Sequence, residues 1–418
     1  MKPNKGKSNS RIKLLILTAY VFVALFAPLL ANEKPLYLFL NGHTYFPAFN
    51  SNPYILFYDK SGHGTKLRSN SVDWKNLEAD NMIFPPIAWP PVHSDLMNQY
   101  ASPFSKQYYI KRGIKTELPT RLRHFMGTGK TGNDVLAGLI HGSRTSLTIG
   151  FISTLIALLI GIVLGCIAGY FGDDRIRISR IRLIAILLLA FPAFFYSFYL
   201  RADRIIDAFH ESAFMGLVHF KISLLIFIAI ILLPLFPFRK KKNKIPSIRL
   251  PIDNIISRTI EIFLSLPRLV MILTLAAIIK PSLLTIILII GLTSWTDVAR
   301  IVRAQVLQLR QSNFVEASKA FGSNPFSIIL RQVFPLLMPQ LFVLCTFSIA
   351  SAILVETGLS FLGIGLPVGT ATWGGLMYEA RENYSAWWMV IFSGGAISIL
   401  LYTLYSFGKQ SRLGKIVF

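Results

Sequence analysis

Long runs of apolar residues, each about the length needed to cross a lipid bilayer, constrain this chain more than any other feature of its sequence. The clearest runs cover residues 147–170, 282–301, 337–355 and 388–407. About 20 consecutive apolar residues span the hydrocarbon core as a helix, and in lipid every backbone N–H and C=O group must be bonded within a helix or a closed barrel. The sequence therefore predicts an all-α polytopic membrane protein.

Composition and charge agree with this prediction. Of the 418 residues, 53% are hydrophobic, far above the content of an average globular domain. Lys and Arg number 43, against 20 Asp and Glu. The basic residues stand beside the apolar runs rather than on one face, which fits the positive-inside rule, so we expect no nucleic-acid partner. Cys166 and Cys345 lie inside apolar runs, which argues against a disulfide framework and against a cysteine metal site.

Residues 1–32 combine a basic start with an apolar run over residues 14–31. This pattern is typical of a signal peptide that is cleaved after a small residue such as Ala31, and it is equally typical of a retained membrane anchor. The run is long enough to span a bilayer, and the residues before Ala31 form a poor cleavage site. We therefore expect an N-terminal membrane anchor whose first residues are cytoplasmic.

Residues 33–145 contain no run long enough to span a membrane, and they are rich in proline and aromatic residues. The prolines of residues 82–91 favour an extended chain. Long loops are exempt from the charge rule that orients short ones, so the many Lys and Arg residues are compatible with a location outside the cytoplasm. We expect an extracytoplasmic segment, either a small folded domain or an ordered cap, and periodicity does not decide between the two.

A further region, about residues 174–250, contains two additional apolar runs at residues 183–200 and 222–238. Arginines precede the first run, and the sequence RKKKNK at residues 239–244 follows the second. Because basic flanks mark cytoplasmic ends, the region is predicted to be an inserted membrane hairpin that starts and ends in the cytoplasm. The end of the last apolar run is basic as well, so both chain termini are predicted to be cytoplasmic.

Glycine and proline predict the shape of two of the spans. Gly161, Gly165 and Gly169 recur at every fourth residue, and this spacing lets another helix approach one face closely. Pro267 stands inside the run at residues 253–279. Because proline removes a helical hydrogen bond, we expect a kink at this position.

The stretch at residues 313–335, NFVEASKAFGSNPFSIILRQVFP, reads as a helical hairpin with polar flanks between two apolar segments. Asn313 is predicted to cap the first helix, with Glu316 at the acidic position of a capping box. Gly322 suits the left-handed residue that ends a helix. Asn324 is predicted to cap the second helix, with Pro325 at its first position. The stretch is therefore predicted to form a cytoplasmic loop over about residues 310–335.

The second helix of this hairpin carries apolar residues at helical spacing, namely Phe326, Ile329, Leu330, Val333 and Phe334. Such a stripe is typical of one face of an amphipathic helix. The spacing alone fits a hairpin that packs on its own protein. It also fits a helix that docks on a partner.

The hairpin resembles the EAA loop of ABC importer permeases. The positions that carry the resemblance are Glu316, Ala317, Gly322, Ile328 or Ile329, and Pro335, while Ser318 stands where a second alanine is usual. In that family the loop is cytoplasmic and docks its short helix into a cleft on the ATPase subunit. The resemblance implies that Glu316 orders the loop and that Gly322 makes the turn. It implies a contacting or packing face formed by Phe326, Ile329, Leu330 and Val333.

Two further segments resemble the dipeptide and oligopeptide permeases. Residues 127–147, GTGKTGNDVLAGLIHGSRTSL, are similar to the family sequence GTDxxGRDVLSRLIYGARISL. Gly129 replaces the family Asp and Asn133 its Arg, and the matching positions include Gly132, Asp134, Val135, Leu136, Gly142, Arg144 and Ser146. Residues 356–365, ETGLSFLGIG, match the family pattern E-x-x-L-S-F-L-G-x-G. The stretch GTGKT at residues 127–131 also looks like the end of a nucleotide-binding loop, but His124 stands where that motif needs glycine.

Together these segments identify the chain as a suspected C-type permease subunit of the dipeptide/oligopeptide ABC importer family, in the microcin-C and oligopeptide branch with a long extracytoplasmic segment. The resemblance implies a type I importer transmembrane domain, with six family spans and the two-span insert. The permease core would occupy residues 146–418. A sister permease, two ABC ATPase subunits and an extracytoplasmic substrate-binding protein are the implied partners in the inner membrane. ATP would be bound by the separate subunits, so no cofactor is expected here.

The expected function is a path through the membrane for peptides or similar small solutes, without enzymatic chemistry. One alternative is a secondary transporter driven by an ion gradient, which would need buried acids or histidines near the middle of the membrane. The spans contain few such residues. The other alternative is a membrane scaffold that binds a partner without transport.

Overall fold

The computed structural model describes residues 5–50, 54–58, 64–68, 72, 74–75, 77, 80–92, 94–111, 114–173, 177–235, 247–367 and 369–412. The basic run at residues 239–244 and the last residues, 413–418, lie outside this part of the chain. The described residues are mostly helical, as the apolar runs predict. Two compact units are present: Met1–Cys166 with Ile260–Phe418, and Ile167–Thr259.

The helices follow one another along the chain with few long interruptions after residue 135. Their bounds are α1 Lys5–Leu25, α2 Ala27–Leu30, α3 Val135–Phe171, α4 Arg180–Phe194, α5 Ala202–Glu211, α6 Ala213–Leu232, α7 Ile252–Ser265, α8 Arg268–Ile278, α9 Leu283–Arg310, α10 Asn313–Ala320, α11 Pro325–Ile328, α12 Phe334–Phe361, α13 Trp373–Glu382 and α14 Trp387–Arg412. Wider π turns follow α4, at Phe195–Tyr199, and α11, at Ile329–Val333.

Five helices in the described residues are long and apolar enough to cross a bilayer, and a sixth is added if α7 and α8 form one bent span. The five are Val135–Phe171, Arg180–Ala208, Leu283–Arg310, Pro325–Phe361 and Trp387–Lys409. The shorter apolar helix Val218–Leu232 and the N-terminal helix α1 are not in this set. A total of eight spans therefore stays a prediction.

The segment between α2 and α3 contains short antiparallel strands. The periodicity of its sequence did not decide its fold. The bounds of the strands are β1 Tyr37–Leu40, β2 His43–Tyr45, β3 Tyr54–Tyr58, β4 Gly64–Arg68, β5 Asn81–Ile83, β6 Tyr108–Lys111 and β7 Ile114–Glu117. Strand β1 lies between β2 and β5, with Leu38 opposite Tyr45 on one side and Met82 on the other. Leu38 is fully buried and packs in a small cluster with Ile55, Phe57 and Trp74. The segment thus has a core of its own.

Glycines let α3 and α9 pack against each other closely, as their spacing predicts. A Cβ atom on Gly161 would lie 2.6 Å from Cβ of Val298 and 2.9 Å from the carbonyl oxygen of Trp295. At Gly165 it would lie 2.7 Å from the carbonyl oxygen of Ala299. Real Cβ atoms do not approach other heavy atoms so closely, so only glycine allows this backbone separation.

The helices α12, α13 and α14 form a second contact region around Trp373, Ile353 and Leu400, all of them buried. The indole nitrogen of Trp373 donates to the carbonyl oxygen of Leu139 in α3, at 3.0 Å. Helix α1 joins this region because the Tyr20 hydroxyl donates to the carbonyl oxygen of Ala396, at 2.8 Å. The N-terminal helix is therefore held against α14 by a specific bond as well as by apolar contacts.

The unit Ile167–Thr259 contains α4, α5 and α6, with Phe198 near both Phe220 and Phe227. Two further strands, β8 Arg177–Ser179 and β9 Ser247–Arg249, pair in antiparallel register at its base, with Ile178 opposite Ile248. Because this pairing brings the two ends of the insert together, it has the geometry that a hairpin requires. The insert of about residues 174–250 as a membrane hairpin remains a prediction.

Candidate functional site

The first arm of the hairpin at residues 313–335 is α10, which begins one residue earlier than the capping-box prediction requires. Asn313 is the first helical residue, and Ser312 occupies the N-cap position without a side-chain cap bond. The Ser312 hydroxyl instead donates to the carbonyl oxygen of Leu309, at the end of α9. Glu316 therefore lies in the fourth helical position, so the predicted capping box of Asn313 and Glu316 is wrong. Adjacent cap-forming residues explain the one-residue error.

The turn between the two arms confirms the role predicted for Gly322, which has φ of +76°. The amide of Ser323 donates to the carbonyl oxygen of Ser318 at 3.0 Å, and the amide of Gly322 donates to that of Lys319 at 2.9 Å. This pair of bonds is the Schellman motif, which ends a helix at a residue in the left-handed conformation. The turn is therefore defined by backbone bonds, with glycine at its strained position.

The second arm begins as predicted and then departs from a regular helix. The Asn324 side chain accepts from the amide of Phe326, with Pro325 in the first turn. After the short helix α11, Ile329–Val333 forms a π turn that leads directly into α12. Pro335 has no N–H to donate to the carbonyl of Arg331, and its ring crowds that carbonyl, which favours a wider turn here. The arm is thus continuous with the spanning helix.

The π turn divides the predicted apolar stripe into two sets. Ile329 and Val333 are buried, with 8% and 0% of their surface exposed, whereas Phe326 and Leu330 are 66% and 50% exposed. The prediction of one common face is therefore wrong, because the extra residue in the turn rotates the positions relative to one another. Ile329 and Val333 pack within the protein, and Phe326 and Leu330 lie at its surface.

A side-chain hydrogen bond joins the two arms at the position where the sequence departs from the usual pattern. The Ser318 hydroxyl lies 2.8 Å from the amide nitrogen of Gln332 and donates to the carbonyl oxygen of Phe314, at 2.9 Å. Val315 and Ile328, one on each arm, are fully buried. The hairpin is therefore braced by a polar bond as well as by two buried aliphatic residues.

The tip of the hairpin presents an exposed aromatic residue that the sequence analysis missed. Phe321, which precedes Gly322, is 89% exposed. Glu316 and Ala317 are exposed on the same short helix, and among the described residues the Glu316 carboxylate makes no hydrogen bond or ion pair. The sequence feature that could have indicated this exposed residue is a phenylalanine between two small residues at the end of a predicted helix. Exposed aromatic side chains on a braced polar hairpin are typical of a protein-contact surface.

The stretch at residues 127–131 does not form a phosphate-binding loop in the described structure. The Lys130 ammonium pairs with Glu382 at 2.5 Å, and the Lys130 amide donates to the carboxylate of Glu379 at 3.3 Å. Asp134 caps α3 by accepting from the amide of Ala137 at 2.6 Å. No group of His, Cys, Asp and Glu in the described part of the chain could hold a metal ion.

A buried ionic cluster lies just before α3, around His124. Its Nδ1 lies 2.8 Å from the Asp134 carboxylate, its Nε2 lies 3.8 Å from the Asp95 carboxylate, and its ring stacks on Trp89 at 4.2 Å. Burial acts to lower the pKa of His124, but the hydrogen bond with Asp134 and the attraction of Asp95 outweigh burial and raise it above 6.5. Burial acts to raise the pKa of Asp95, but His124 and Asn98 hold it below 3.8. The cluster joins the segment before α3 to the first turn of that helix.

Comparison with known proteins places the hairpin within a recognised segment. Residues 247–410 match the family model described as "Binding-protein-dependent transport system inner membrane component". The dipeptide transport system permease protein DppC of Bacillus subtilis is 28% identical over 310 residues, which cover 73% of each chain. The inner membrane ABC transporter permease protein YejE of Escherichia coli is 24% identical over 401 residues, 94% of this chain and 90% of the relative.

Shorter and more distant matches agree with these. A putative peptide permease protein of Brucella ovis is 34% identical over 165 residues, which are 38% of this chain and 54% of the relative. A solved inward-facing MetNI methionine ABC transporter superposes with 14% identity and a TM-score of 0.42, covering 68% of this chain and 98% of its own. Because this superposition is weak, the similarity to transport permeases rests on the sequence matches.

Proposed function

We propose that this chain, which is similar to the inner membrane components of binding-protein-dependent transport systems, is a permease subunit of an ATP-driven importer. It forms the translocation path for peptides or similar small solutes and couples that path to ATPase subunits through the hairpin at residues 313–335. The similarities favour this function over an ion-gradient-driven transporter and over a scaffold without transport.

The observation that carries the proposal is the exposed hairpin inside the family-matched segment. Phe321, Phe326 and Leu330 present apolar surface at the hairpin, while Ile329 and Val333 anchor it. An exposed aromatic centre surrounded by polar residues is the usual composition of an energetically important contact. An ATPase subunit with a complementary cleft is the partner proposed for it, and the exposed Glu316 carboxylate is available to that partner.

The geometry suits the transmission of movement from the hairpin into the membrane. The second arm continues through the π turn into α12, so that Pro325–Phe361 forms one uninterrupted helical element. Near its far end, Glu356 is fully buried and accepts hydrogen bonds from Ser146 of α3 and from Ser360, both at 2.9 Å. A displacement at Phe326 would therefore reach the contact between α12 and α3. Nucleotide shifts the equilibrium only through different affinities for the two conformations.

The proposed assembly contains a sister permease, two ATPase subunits and an extracytoplasmic substrate-binding protein. In the proposed orientation the hairpin lies in the cytoplasm, and Arg300, Arg303 and Arg310 near the adjoining end of α9 support this orientation. The segment with strands β1 to β7 would then lie on the opposite side of the membrane. Peptides are the proposed cargo because relatives are named as dipeptide or peptide permeases.

The experiment that tests this function is reconstitution of the complete assembly, with its ATPases and binding protein, into liposomes. We expect uptake of a labelled peptide to require ATP on the side of the membrane where the ATPase subunits lie. We also expect it to continue after ionophores collapse the proton and sodium gradients. Uptake that stops with the ionophores, while ATP remains, would favour the secondary transporter. A complete assembly that moves no peptide would leave the cargo proposal without support.

A further inference from the structure

A break divides the bent helix pair α7 and α8 within a segment apolar enough to cross a membrane. The axes of the two helices differ by 77°, and Pro267 occupies the N-cap position of α8 without a side-chain cap bond. Helix α8 has 11 residues, and at about 1.5 Å per residue it covers about half of a hydrocarbon core that is about 30 Å thick. The break therefore lies well inside the thickness that α9, with 28 residues, can cross.

Arg268, the first residue of α8, carries a guanidinium group whose bonds at this break are incomplete. Its Nη2 donates to the Ser294 hydroxyl at 2.5 Å, whereas its Nη1 lies 3.5 Å from the Asp297 carboxylate. Charge-assisted bonds of this kind are normally about 2.7–2.9 Å long. The Nε atom is buried and has no hydrogen-bond partner among the residues that the structure describes. The guanidinium is thus positioned but not saturated.

The charges joined at this point do not balance. Asp297 also lies 3.5 Å from Arg300, so one carboxylate faces two guanidinium groups. The Arg268 charge, at a break inside an apolar segment, is therefore only partly neutralised by Asp297. A charge in such a place is costly and is commonly retained for a functional reason. The positive end of the α8 helix dipole lies at the same residues and adds to the preference for a negative group.

The break is braced and is therefore a fixed part of the fold. Phe263, near the end of α7, packs edge-to-face on Trp295 of α9, with ring centroids 5.6 Å apart. Beyond the break, Ile272 and Ala276 of α8 pack against Ile289 of α9 and Leu359 of α12. Arg268 is consequently held on both sides by apolar contacts, while 31% of its side chain remains exposed.

We propose that this break is a carboxylate-binding point on the translocation path, with Arg268 as the group that binds and Ser294 as the residue that positions it. This proposal rests on the proposed function and specifies the solute. The transported molecule carries a carboxylate, such as the C-terminus of a peptide or the acid group of another small organic acid, and Arg268 binds that group during passage. The incoming carboxylate shares the guanidinium with Asp297 and completes the bonds that are long or missing in its absence.

The test measures protection of a cysteine at the break in the complete purified assembly. Cys166 and Cys345 are replaced by alanine, and Leu266→Cys introduces a thiol at an exposed position two residues before Arg268. The rate of its modification by a cationic methanethiosulfonate reagent is measured alone, with alanyl-alanine, with alanyl-alanine amide and with propionate. The amide lacks the carboxylate, and propionate lacks the peptide.

We expect alanyl-alanine to slow modification about threefold at about twice its dissociation constant, because protection scales as 1 + [L]/Kd. The amide should give no protection, and Arg268→Gln should abolish the effect of the acid. Lys280→Gln, which removes an exposed positive charge from the turn between α8 and α9, should retain the effect. Protection by propionate as well would indicate recognition of any small carboxylate, and protection by the dipeptide alone would indicate a peptide.

Equal protection by the acid and the amide would overturn the proposal, as would an unreactive thiol at position 266. These outcomes are separable from failure of the proposed function, because binding of the ATPase subunits and ATP-dependent uptake are measured on the same preparation. If Arg268→Gln does not assemble, Ser294→Ala replaces it, and unchanged protection in that variant would contradict the positioning role. The comparison of acid with amide needs no variant at Arg268.

Discussion

The Ser318 hydroxyl and the Gln332 side-chain amide lie 2.8 Å apart and join the two arms of the hairpin. We expect Ser318→Ala to destabilise the hairpin locally by about 0.5–1.5 kcal/mol, the usual net contribution of one hydrogen bond. Gln332→Ala should have a similar effect, and the double variant should be little worse than either single one. Hydrogen–deuterium exchange of residues 313–335 measures this difference. Ser323→Ala, at an exposed neighbouring serine, is the control, and equal exchange in all variants would contradict the brace.

The backbone at Gly322 provides a second test of the same hairpin. In the described part of the chain no heavy atom lies within 4 Å of a Cβ built there, so the cost of a side chain comes from φ of +76°. A left-handed conformation costs an L-residue about 1–2 kcal/mol, and Asn tolerates it best. We expect Gly322→Val to lower ATPase stimulation by the binding protein while membrane insertion continues. Gly322→Asn should remain close to the unaltered protein. If Gly322→Val retained full stimulation, the turn would not matter for coupling.

Much of the hairpin could be predicted from the sequence because its start, turn and end are local. Gly322, Asn324 and Pro325 act through backbone geometry within a few residues, and the structure places all three as predicted. The burial of Ile329 and the exposure of Phe326 could not be predicted in the same way. They depend on the π turn and on contacts with helices that are distant in sequence.

Because α3 and α9 pack closely, we expect the stability of the chain to fall when a methyl group is added at their contact, but not when one is added elsewhere. At Gly161 an added methyl group would meet Val298 Cβ at 2.6 Å. We expect Gly161→Ala to destabilise the purified chain by about 1–3 kcal/mol, which is typical of overpacking. At Gly394 of α14 a Cβ meets no heavy atom of the described residues within 4 Å, so Gly394→Ala should be neutral or slightly stabilising. The measurement is the thermal unfolding midpoint in detergent, and equal midpoints would show that the helices separate easily.

The cluster around His124 predicts a stability that depends on pH. Because the folded pKa of His124 is raised, its contribution is fully present below the ordinary value of 6.5 and is lost as pH rises through the raised value. Because the pKa of Asp95 is lowered, its contribution is present above the ordinary value of 3.8 and is lost as pH falls through the lowered value.

We therefore expect the segment before α3 to be most stable between these two ordinary values and to weaken in the alkaline direction. Limited proteolysis of this segment tests the expectation. It is measured from about pH 5 to about pH 9, a range that brackets the ordinary histidine pKa of about 6.5. His124→Gln should flatten the profile above the ordinary histidine pKa. His43→Gln, at an exposed histidine of strand β2, should leave it unchanged. A profile that is equally steep in His124→Gln would assign the pH dependence to other groups.

The contacts that sequence patterns did not reveal are those between residues far apart in the chain. Arg268 and Asp297 are separated by 29 positions, and their pairing follows from the bend at Pro267 and the packing of α8 on α9. Ser146 and Glu356 are 210 positions apart. Periodicity places such polar residues on helices but does not determine which helices meet. The apolar runs and the glycine spacing, by contrast, are patterns within a single helix, so they could be recognised from the sequence alone.

The most direct test of the account is whether the exposed aromatic residues of the hairpin hold the ATPase subunits. The chain is purified from mildly solubilised membranes as Phe321→Ala, as Phe326→Ala and as the double variant, and the ATPase that accompanies it is quantified. Truncating a central contact residue commonly costs about 2 kcal/mol or more in binding, so we expect the double variant to lose most of its ATPase. Phe104→Ala, an 83% exposed phenylalanine of the segment before α3, should retain it. Unchanged recovery of the ATPase in the double variant would contradict the proposed docking surface.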